Sequence, residues 1–136
     1  LYDKNKNNLT VPEIRSLWKE CRSLGAIHVN LTGGEPMMRP DWDEIIRNLN
    51  PSSTIVSMVT NGHLLNEKNV IKAKKSGLRY LQVSIDSADP DTHDKSRKIN
   101  GLFQTAIEGV RLAKKHGISV SLSTVVTNEN AKNGEL

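Results

Sequence analysis

Three helix–glycine–strand units recur along this chain and restrict it to an α/β fold. Gly25, Gly77 and Gly117 each stand between the end of a helical pattern and the start of an apolar strand. Glycine favours the position just past a helix because it adopts left-handed backbone angles without a steric cost. Strands that alternate with helices over short connections predict a parallel sheet with right-handed crossovers. The 136 residues are enough for one domain, so we expect a single domain over 1–136.

Capping residues as well as these glycines bound the predicted elements. Thr10 with Glu13 three residues later is a capping box, and Asp89 before Pro90 is an N-cap followed by a first-turn proline. Helices are predicted near 11–24, 41–49, 66–75, 91–97, 103–116 and from 131, and strands near 27–31, 54–60, 80–85 and 118–126. These strands fit either an open doubly wound sheet or part of a barrel. No Gly-x-Gly-x-x-Gly follows a strand, which disfavours a dinucleotide-binding sheet.

Every predicted strand ends in polar residues of the kind that bind ligands. In chain order these strand-end residues are Glu35, Thr60 and Asn61, Ser84 and Asp86, and Thr127 and Asn128. In barrel-type α/β folds the active site lies at the carboxyl ends of the strands. Four polar strand ends in succession therefore predict a shared pocket at that rim.

The loop Leu31-Thr32-Gly33-Gly34-Glu35-Pro36 is the most distinctive of these strand ends. Gly33 and Gly34 let the backbone turn sharply and approach a ligand without intervening side chains. Glu35 adds a carboxylate beside exposed carbonyls, and Pro36 stiffens the exit. Such acceptors suit an ammonium, whereas a phosphate cradle would want a basic residue and a helix N-terminus. The alternative is a tight turn with a solvated glutamate. Because Glu35 would lie at the rim and not in the core, its removal is expected to leave folding little affected.

Charge and hydropathy narrow the function classes. The formal net charge is +4 with a pI near 9.3, which permits an anionic partner. The basic residues are dispersed, and no aromatic residues interleave with them as base-stacking platforms, so a nucleic-acid partner is not expected. No apolar run reaches membrane-spanning length and the first residues carry no signal peptide, so the expected location is cytoplasmic.

Neither of two sets of potential metal ligands is expected to bind a metal ion. The segment from Asp86 to Asp94, which includes His93, looks like a metal cluster, but Pro90 interrupts it and the glycine and glutamate of a calcium loop are missing. The single cysteine, Cys21, is expected to be a buried core thiol on a helical stripe with Ile14, Leu17, Trp18 and Leu24. No metal ligand and no catalytic residue is assigned within the chain.

Five sequence blocks occur in the order and spacing of a known family. They are Leu-Thr-Gly-Gly-Glu-Pro-Met-Met-Arg-Pro-Asp at 31–41, Thr-Asn-Gly at 60–62, Val-Ser-Ile-Asp-Ser at 83–87, His93-Asp94 with Arg97, and Ser-Thr-Val-Val-Thr at 123–127. Together they resemble the radical S-adenosylmethionine (SAM) superfamily. The sequence of these blocks most resembles the branch that contains molybdenum cofactor, pyrroloquinoline quinone and haem biosynthesis enzymes and peptide maturases. The resemblance implies a parallel-stranded partial (β/α)6 TIM-like barrel, of which about four strands and their helices are present here.

The resemblance also implies a chemistry and its cofactors. In that superfamily a [4Fe–4S] cluster binds SAM and reductively cleaves it to a 5′-deoxyadenosyl radical, which abstracts hydrogen from a small-molecule or peptide substrate. A reductant such as flavodoxin or ferredoxin supplies the electron. The residues implied to receive the SAM ammonium are Gly33, Gly34, Glu35 and Pro36. Those implied to bind the rest of SAM are Thr60, Asn61, Ser84 and Asp86 around its methionine and ribose, and Arg97 near its carboxylate.

One departure from the superfamily pattern matters. Its hallmark C-x-x-x-C-x-x-C is absent, since Cys21 is the one cysteine here. The resemblance therefore implies an incomplete core, without the first strand, the cluster loop and the last strand, whose ligand cysteines lie elsewhere. The alternative is a cluster-less SAM- or nucleotide-binding module of the same fold without redox activity.

An incomplete core also predicts exposed sheet surfaces. The segments 27–31 and 118–126 are expected to be open edges through which chains self-associate. The inner face of the sheet is expected to be partly uncovered and to carry residues such as Val29, Val56, Met58 and Val83.

Overall fold

The computed structural model describes residues 8–127, Asn130 and Ala131, and contains a four-stranded sheet with helices. The helices are α1 (Val11–Ser23), α2 (Trp42–Asn48), α3 (Glu67–Ser76), α4 (Pro90–Arg97) and α5 (Leu102–Lys115). The strands are β1 (His28–Leu31), β2 (Ile55–Thr60), β3 (Tyr80–Ser84) and β4 (Ser119–Ser123). A short 3₁₀ turn over Pro36–Met38, which was not predicted, lies between β1 and α2. The strand-end residue Asn128, and all of the predicted helix from 131 except Ala131, lie outside the described residues.

The strand order decides between the two architectures that the sequence left open. All four strands are parallel and lie in the order β1-β2-β3-β4, so each pairs with its neighbour in sequence. Helices α1, α2, α3 and α5 contact one another in succession, which places them on one face of the sheet. A doubly wound sheet would reverse its strand order and carry helices on both faces. The fold is therefore part of a parallel (β/α) barrel, as predicted.

The helix-covered face of the sheet contains the core. Val56, Met58 and Val83 are completely buried there, and Val29, which pairs with Val56, is half-buried on the same face. The expectation that these residues form a partly uncovered inner face is wrong. Side chains alternate between the two faces of a strand. The face with the apolar side chains is the one that packs against the helices.

The opposite, open face carries mainly polar side chains. Its alternating residues are His28, Asn30, Ile55, Ser57, Val59, Tyr80, Gln82, Ser84, Ser119, Ser121 and Ser123. Some of them are already joined: His28 Nε2 lies 2.7 Å from Ser57 Oγ, and the Ser57 hydroxyl donates to Asn30 Oδ1 at 2.9 Å. None of these open-face residues is an aspartate, glutamate, lysine or arginine.

The helix ends follow the predicted caps. Thr10 and Glu13 form the capping box, and the Asp89 side chain accepts the Thr92 N–H at 2.8 Å. Gly77 follows α3 with φ of +101°, and Pro51 lies 2.5 Å from the position that a Cβ would occupy. Only glycine fits there, because a side chain would meet both backbone strain and the proline ring.

The apolar stripe predicted on α1 is buried only in part. Trp18 is buried, and its indole N–H donates to the Leu49 carbonyl at 3.1 Å. Cys21 is half-buried rather than a core thiol, and Leu17 and Leu24 are exposed, which corrects the prediction. This stripe is only partly covered because α1 lies at the end of the helix layer and, among the described residues, contacts a neighbouring helix on one side only.

Strand β4 ends at Ser123, three residues before the predicted strand end. The Thr124 hydroxyl donates to the Ile85 carbonyl at 2.6 Å, and the Val125 N–H donates to the Asp86 carboxylate at 3.2 Å. The chain therefore bends over the end of β3 instead of continuing the strand. Strands β1 and β4 are the outer strands, in agreement with the predicted edges. No helix in the described part of the chain is long and apolar enough to cross a bilayer.

Candidate functional site

The loop after β1 is fastened to the end of β2 through the Glu35 carboxylate. Oε1 accepts the Thr60 hydroxyl at 2.9 Å and the Met37 N–H at 3.3 Å, and Oε2 accepts the Asn61 N–H at 2.9 Å. These three hydrogen bonds argue against the expectation that this carboxylate leaves folding little affected. An ionised carboxylate has about four acceptor positions, so Glu35 retains capacity for a further donor.

Thr60 supports this arrangement from inside the sheet. It is 2% exposed, and its hydroxyl both donates to Glu35 and accepts the Gly62 N–H at 3.1 Å. The Asn61 side chain accepts the His63 N–H at 2.8 Å, which closes the turn that follows β2. The structure thus brings the loop glycines, Glu35, Thr60 and Asn61 into one cluster, as the strand-end pattern predicted.

A second cluster surrounds Asp86 just beyond the end of β3. Its carboxylate accepts the Arg97 Nε–H at 2.6 Å and the Val125 N–H at 3.2 Å. The Asn130 amide donates to the Asp86 carbonyl at 3.0 Å. Burial raises the pKa of Asp86, but the hydrogen bonds and charge of Arg97 and the Val125 N–H outweigh it and hold that pKa below its usual value. Asp86 is therefore an ionised carboxylate paired with Arg97.

His93 belongs to this cluster, although the sequence interpretation gave it no role. Its ring is completely buried, and Nδ1 accepts the Asp86 N–H at 3.2 Å. Burial, together with the charge of Arg97, lowers the pKa of His93. A usable signal was present: His93 and Arg97 are four residues apart and therefore lie on the same face of α4.

The suspected metal cluster has other functions in the fold. Asp89 caps α4, and the Asp94 carboxylate accepts the N–H groups of Gly101 and Phe103 at the start of α5. Among the described residues, no three His, Cys, Asp or Glu side chains are grouped so as to hold a metal ion.

The two clusters lie at the ends of adjacent strands. Thr60 pairs with Val83, so Ser84 stands one residue further along β3, beside the end of β2. Ser84 is half-buried and its side chain makes no hydrogen bond to another described residue. Gly33 has φ of +131°, and a Cβ added at Gly33 or Gly34 would meet no heavy atom within 4 Å. The rim thus combines an open glycine loop, a carboxylate and an arginine.

Comparison with known proteins assigns this arrangement to a family. The model of the radical SAM superfamily matches residues 2–135. The chain belongs to the radical SAM superfamily. The family resemblance of the sequence blocks and the predicted partial barrel are both confirmed, and radical SAM proteins use SAM with a [4Fe–4S] cluster.

Several named enzymes are similar to the chain in sequence. The chain is 35% identical over 122 residues to an AdoMet-dependent heme synthase of Methanosarcina barkeri, covering 90% of the chain and 35% of that protein. It is 38% identical over 122 residues to a probable GTP 3′,8-cyclase of Pyrobaculum aerophilum, covering 87% of the chain and 38% of that protein. It is 31% identical over 127 residues to an Fe-coproporphyrin III synthase of M. barkeri, covering 93% and 32%. The chain spans about a third of the length of these relatives.

Solved radical SAM structures have the same fold. The chain superposes on anSMEcpe with bound AdoMet with a TM-score of 0.73 at 18% identity, covering 95% of this chain and 37% of that one. It superposes on methylornithine synthase with a TM-score of 0.70 at 21% identity, covering 90% and 37%. At these identities the likeness establishes the fold, and the coverage agrees with part of a barrel.

The described residues fit the two radical SAM cofactors unequally. The space beside Gly33 and Gly34, the spare acceptor position of Glu35 and the Nη groups of Arg97 suit a ligand with an ammonium and a carboxylate. The cluster has no site among these residues, since the chain contains a single cysteine, Cys21 on α1.

Proposed function

We propose that this chain is the SAM-binding part of a radical SAM enzyme that modifies a small molecule or a peptide, as in cofactor biosynthesis or peptide maturation. When bound to its cluster, SAM supplies a 5′-deoxyadenosyl radical for hydrogen abstraction. The cysteines that hold the cluster would belong to the full-length protein outside residues 1–136. A flavodoxin or ferredoxin as electron donor, and a cytoplasmic location, are part of the same proposal.

The main support for this proposal is the open loop that contains Gly33 and Gly34. Backbone carbonyls of Gly33 and Gly34 and the Glu35 carboxylate form an acceptor-rich surface, and no side chain of the described residues fills the space beside it. An ammonium placed there would gain charge-assisted hydrogen bonds, which are stronger than neutral ones. The loop is also held rigidly, because Glu35 is tied to β2 by Thr60 and Asn61.

The residues at β3 complete the proposed SAM site. Arg97 uses Nε for Asp86, which leaves its two Nη groups available for the carboxylate of SAM. Ser84 supplies a hydroxyl that has no hydrogen-bond partner among the described residues, for the ribose or methionine groups. Because Asp86 is already occupied by Arg97 and Val125, we assign it to holding Arg97 rather than to direct contact with SAM.

The open face of the sheet is the proposed substrate side. It presents hydroxyl, amide and imidazole groups, and its described residues include no aspartate, glutamate, lysine or arginine. These groups would contact the hydroxyls or amides of a substrate, whereas phosphates or carboxylates would require cations supplied by other parts of the protein.

Gly34→Ala in the full-length protein tests the proposed SAM site. The backbone at Gly34 is not left-handed and an added methyl group meets no heavy atom of the described residues within 4 Å, so the variant should fold normally. If SAM lies against the loop, the methyl group should clash with it and weaken SAM binding about tenfold or more. Isothermal titration calorimetry with SAM on the protein reconstituted with iron and sulfide provides the measurement.

Thr32→Ala is the matched control, because Thr32 is an exposed neighbour in the same loop. It should bind SAM as the wild type does. The radical activity is read separately, as 5′-deoxyadenosine formed after addition of dithionite. Equal SAM affinity of Gly34→Ala and wild type would contradict the site. SAM binding without bound iron or 5′-deoxyadenosine would instead indicate the cluster-less module.

A further inference from the structure

We propose that His93 is a positioning residue that holds Asp86 and, through it, Arg97 in the geometry of the SAM site. The inference rests on the proposed SAM site at the end of β3. It adds a buried residue that does not touch SAM itself and that acts through a hydrogen bond to the backbone of Asp86.

Asp86 is the point at which three segments meet. Arg97 of α4 reaches its carboxylate at 2.6 Å, and Val125, beyond the end of β4, donates to the same group at 3.2 Å. Asn130 holds its carbonyl at 3.0 Å, and His93 holds its N–H at 3.2 Å. The backbone leaves β3 just before this residue, so these contacts rather than the sheet ladder fix its direction.

The contact with Asp86 requires a neutral histidine. Nδ1 accepts a hydrogen bond from a backbone N–H, so it carries no proton, and the single proton of the ring is on Nε2. The ring is completely buried with its edge toward Phe103 of α5, at 5.8 Å between centroids and 68° between planes. Nε2 has no acceptor among the described residues, so the Asp86 N–H is the polar partner that orients this ring.

Protonation of His93 would break this arrangement. Nδ1–H and the Asp86 N–H would then be two donors facing each other. The segment after β3 would lose the hydrogen bond that His93 makes to it. The charged groups around the ring act in both directions: Asp86 and Asp94 favour the protonated form, whereas Arg97 and burial oppose it. A released Asp86 would carry Arg97 with it, because the two are joined by the Nε–Oδ2 hydrogen bond.

Two substitutions separate the acceptor from the bulk of the ring. Asn places its Oδ1 at the same branch point as the histidine Nδ1 and can accept the Asp86 N–H, but it does not titrate. Leu keeps apolar volume and removes the acceptor. Phe103→Leu is the control for packing, since it removes the ring contact and leaves the Nδ1 hydrogen bond in place.

The test is SAM affinity of the full-length reconstituted protein, measured by calorimetry at about pH 8 and at lower pH down to about 5, because the pKa of His93 lies below the ordinary histidine value of about 6.5. At the higher pH we expect His93→Leu to bind SAM about tenfold more weakly, the scale of one lost hydrogen bond, and His93→Asn and Phe103→Leu to remain within about threefold of wild type. As the pH falls through the lowered pKa of His93, the wild type should lose more affinity than His93→Asn.

Each outcome has a distinct meaning. A wild-type protein that binds no SAM contradicts the proposed function itself. SAM binding that is equal in wild type and His93→Leu overturns the positioning role, as does a His93→Asn variant as weak as His93→Leu. If His93→Leu does not fold, the comparison of wild type with His93→Asn decides, and a His93→Asn variant that binds SAM about tenfold more weakly than wild type at about pH 8 would overturn the proposal.

Discussion

The hydroxyl of Thr60 lies 2.9 Å from Oε1 of Glu35, a contact between residues 25 positions apart in the chain. It joins the glycine loop after β1 to the last residue of β2, and the Asn61 N–H adds a second bond to the same carboxylate. The loop that is proposed to bind SAM is thus held in place by the carboxylate that is proposed to contact it. If SAM binds there as proposed, binding and folding are coupled at Glu35.

This coupling predicts that removal of the Thr60 hydroxyl lowers stability. Thr60→Val keeps the shape of the side chain but removes one of the three donors to Glu35 and leaves the buried Gly62 N–H without its hydroxyl acceptor. We expect the free energy of unfolding of the full-length protein to fall by about 1–3 kcal/mol in urea titrations. Thr60→Ser retains the hydroxyl and should lose clearly less. A Thr60→Val variant as stable as wild type would show that the hydrogen bonds of the hydroxyl do not contribute.

Two glycines with ordinary backbone angles should respond in opposite ways to alanine. At Gly109 a Cβ would lie 2.3 Å from Leu65 Cβ and 2.9 Å from its carbonyl oxygen, whereas at Gly34 it would meet nothing within 4 Å. Gly109→Ala should therefore destabilise the protein by about 1–3 kcal/mol through overpacking. Gly34→Ala should change stability by less than about 0.5 kcal/mol. Thermal melts of the two variants check this contrast, and a Gly109→Ala variant as stable as wild type would contradict the close packing of α5.

The ion pairs of Asp43 lead us to expect that the free energy of unfolding falls in acid. The side chain pairs with Lys72 at 2.7 Å and with Arg47 at 2.7 Å and is 9% exposed. Burial raises the pKa of Asp43, but the hydrogen bonds and charges of Lys72 and Arg47 outweigh it and hold that pKa below the ordinary value. A lowered pKa stabilises the fold above the unfolded-state value of about 3.9, and this contribution is lost as the pH falls through the folded-state pKa.

The measurement is the free energy of unfolding of the full-length protein between about pH 7 and about pH 3. Asp43→Asn should be less stable than wild type at neutral pH, and the difference between the two should shrink as the pH falls. The exposed Asp91, which makes no ion pair in the described structure, offers Asp91→Asn as a control with little effect at any pH. A constant difference between Asp43→Asn and wild type would exclude the ion-paired carboxylate as its source.

The isolated 136-residue chain is predicted to self-associate. Strands β1 and β4 are outer strands, and exposed apolar side chains lie beside them, with Ile27 63% and Leu122 56% exposed. Open strand edges with apolar neighbours favour pairing between chains. We expect light scattering to show species larger than the monomer, and the double variant Ile27→Lys, Leu122→Lys to reduce their amount. A monomeric, sharply melting wild-type chain would show that these edges are protected in another way.

Local sequence was enough to predict the framework and the positions of the proposed site. Helix caps, such as Thr10 with Glu13, and the glycine after each helix act within a few residues, so their effect is visible in the sequence. Parallel strands place their carboxyl ends at one edge of the sheet, so the alternation of elements also predicted that Glu35, Thr60 and Asp86 lie on one rim. The resemblance to radical SAM proteins was carried by the same short blocks.

Only the tertiary structure decided which partners these residues have. Strand periodicity shows that two faces alternate, but the packing of the helices determined that Val56 and Met58 face the core and that Ser57 faces outward. The Glu35–Thr60 and Asp86–Val125 contacts join residues 25 and 39 positions apart, and no local pattern specifies such pairs. His93 is the clearest case: its sequence neighbours are acidic and suggested a metal ligand, whereas burial beside Phe103 makes it a neutral acceptor for the Asp86 backbone.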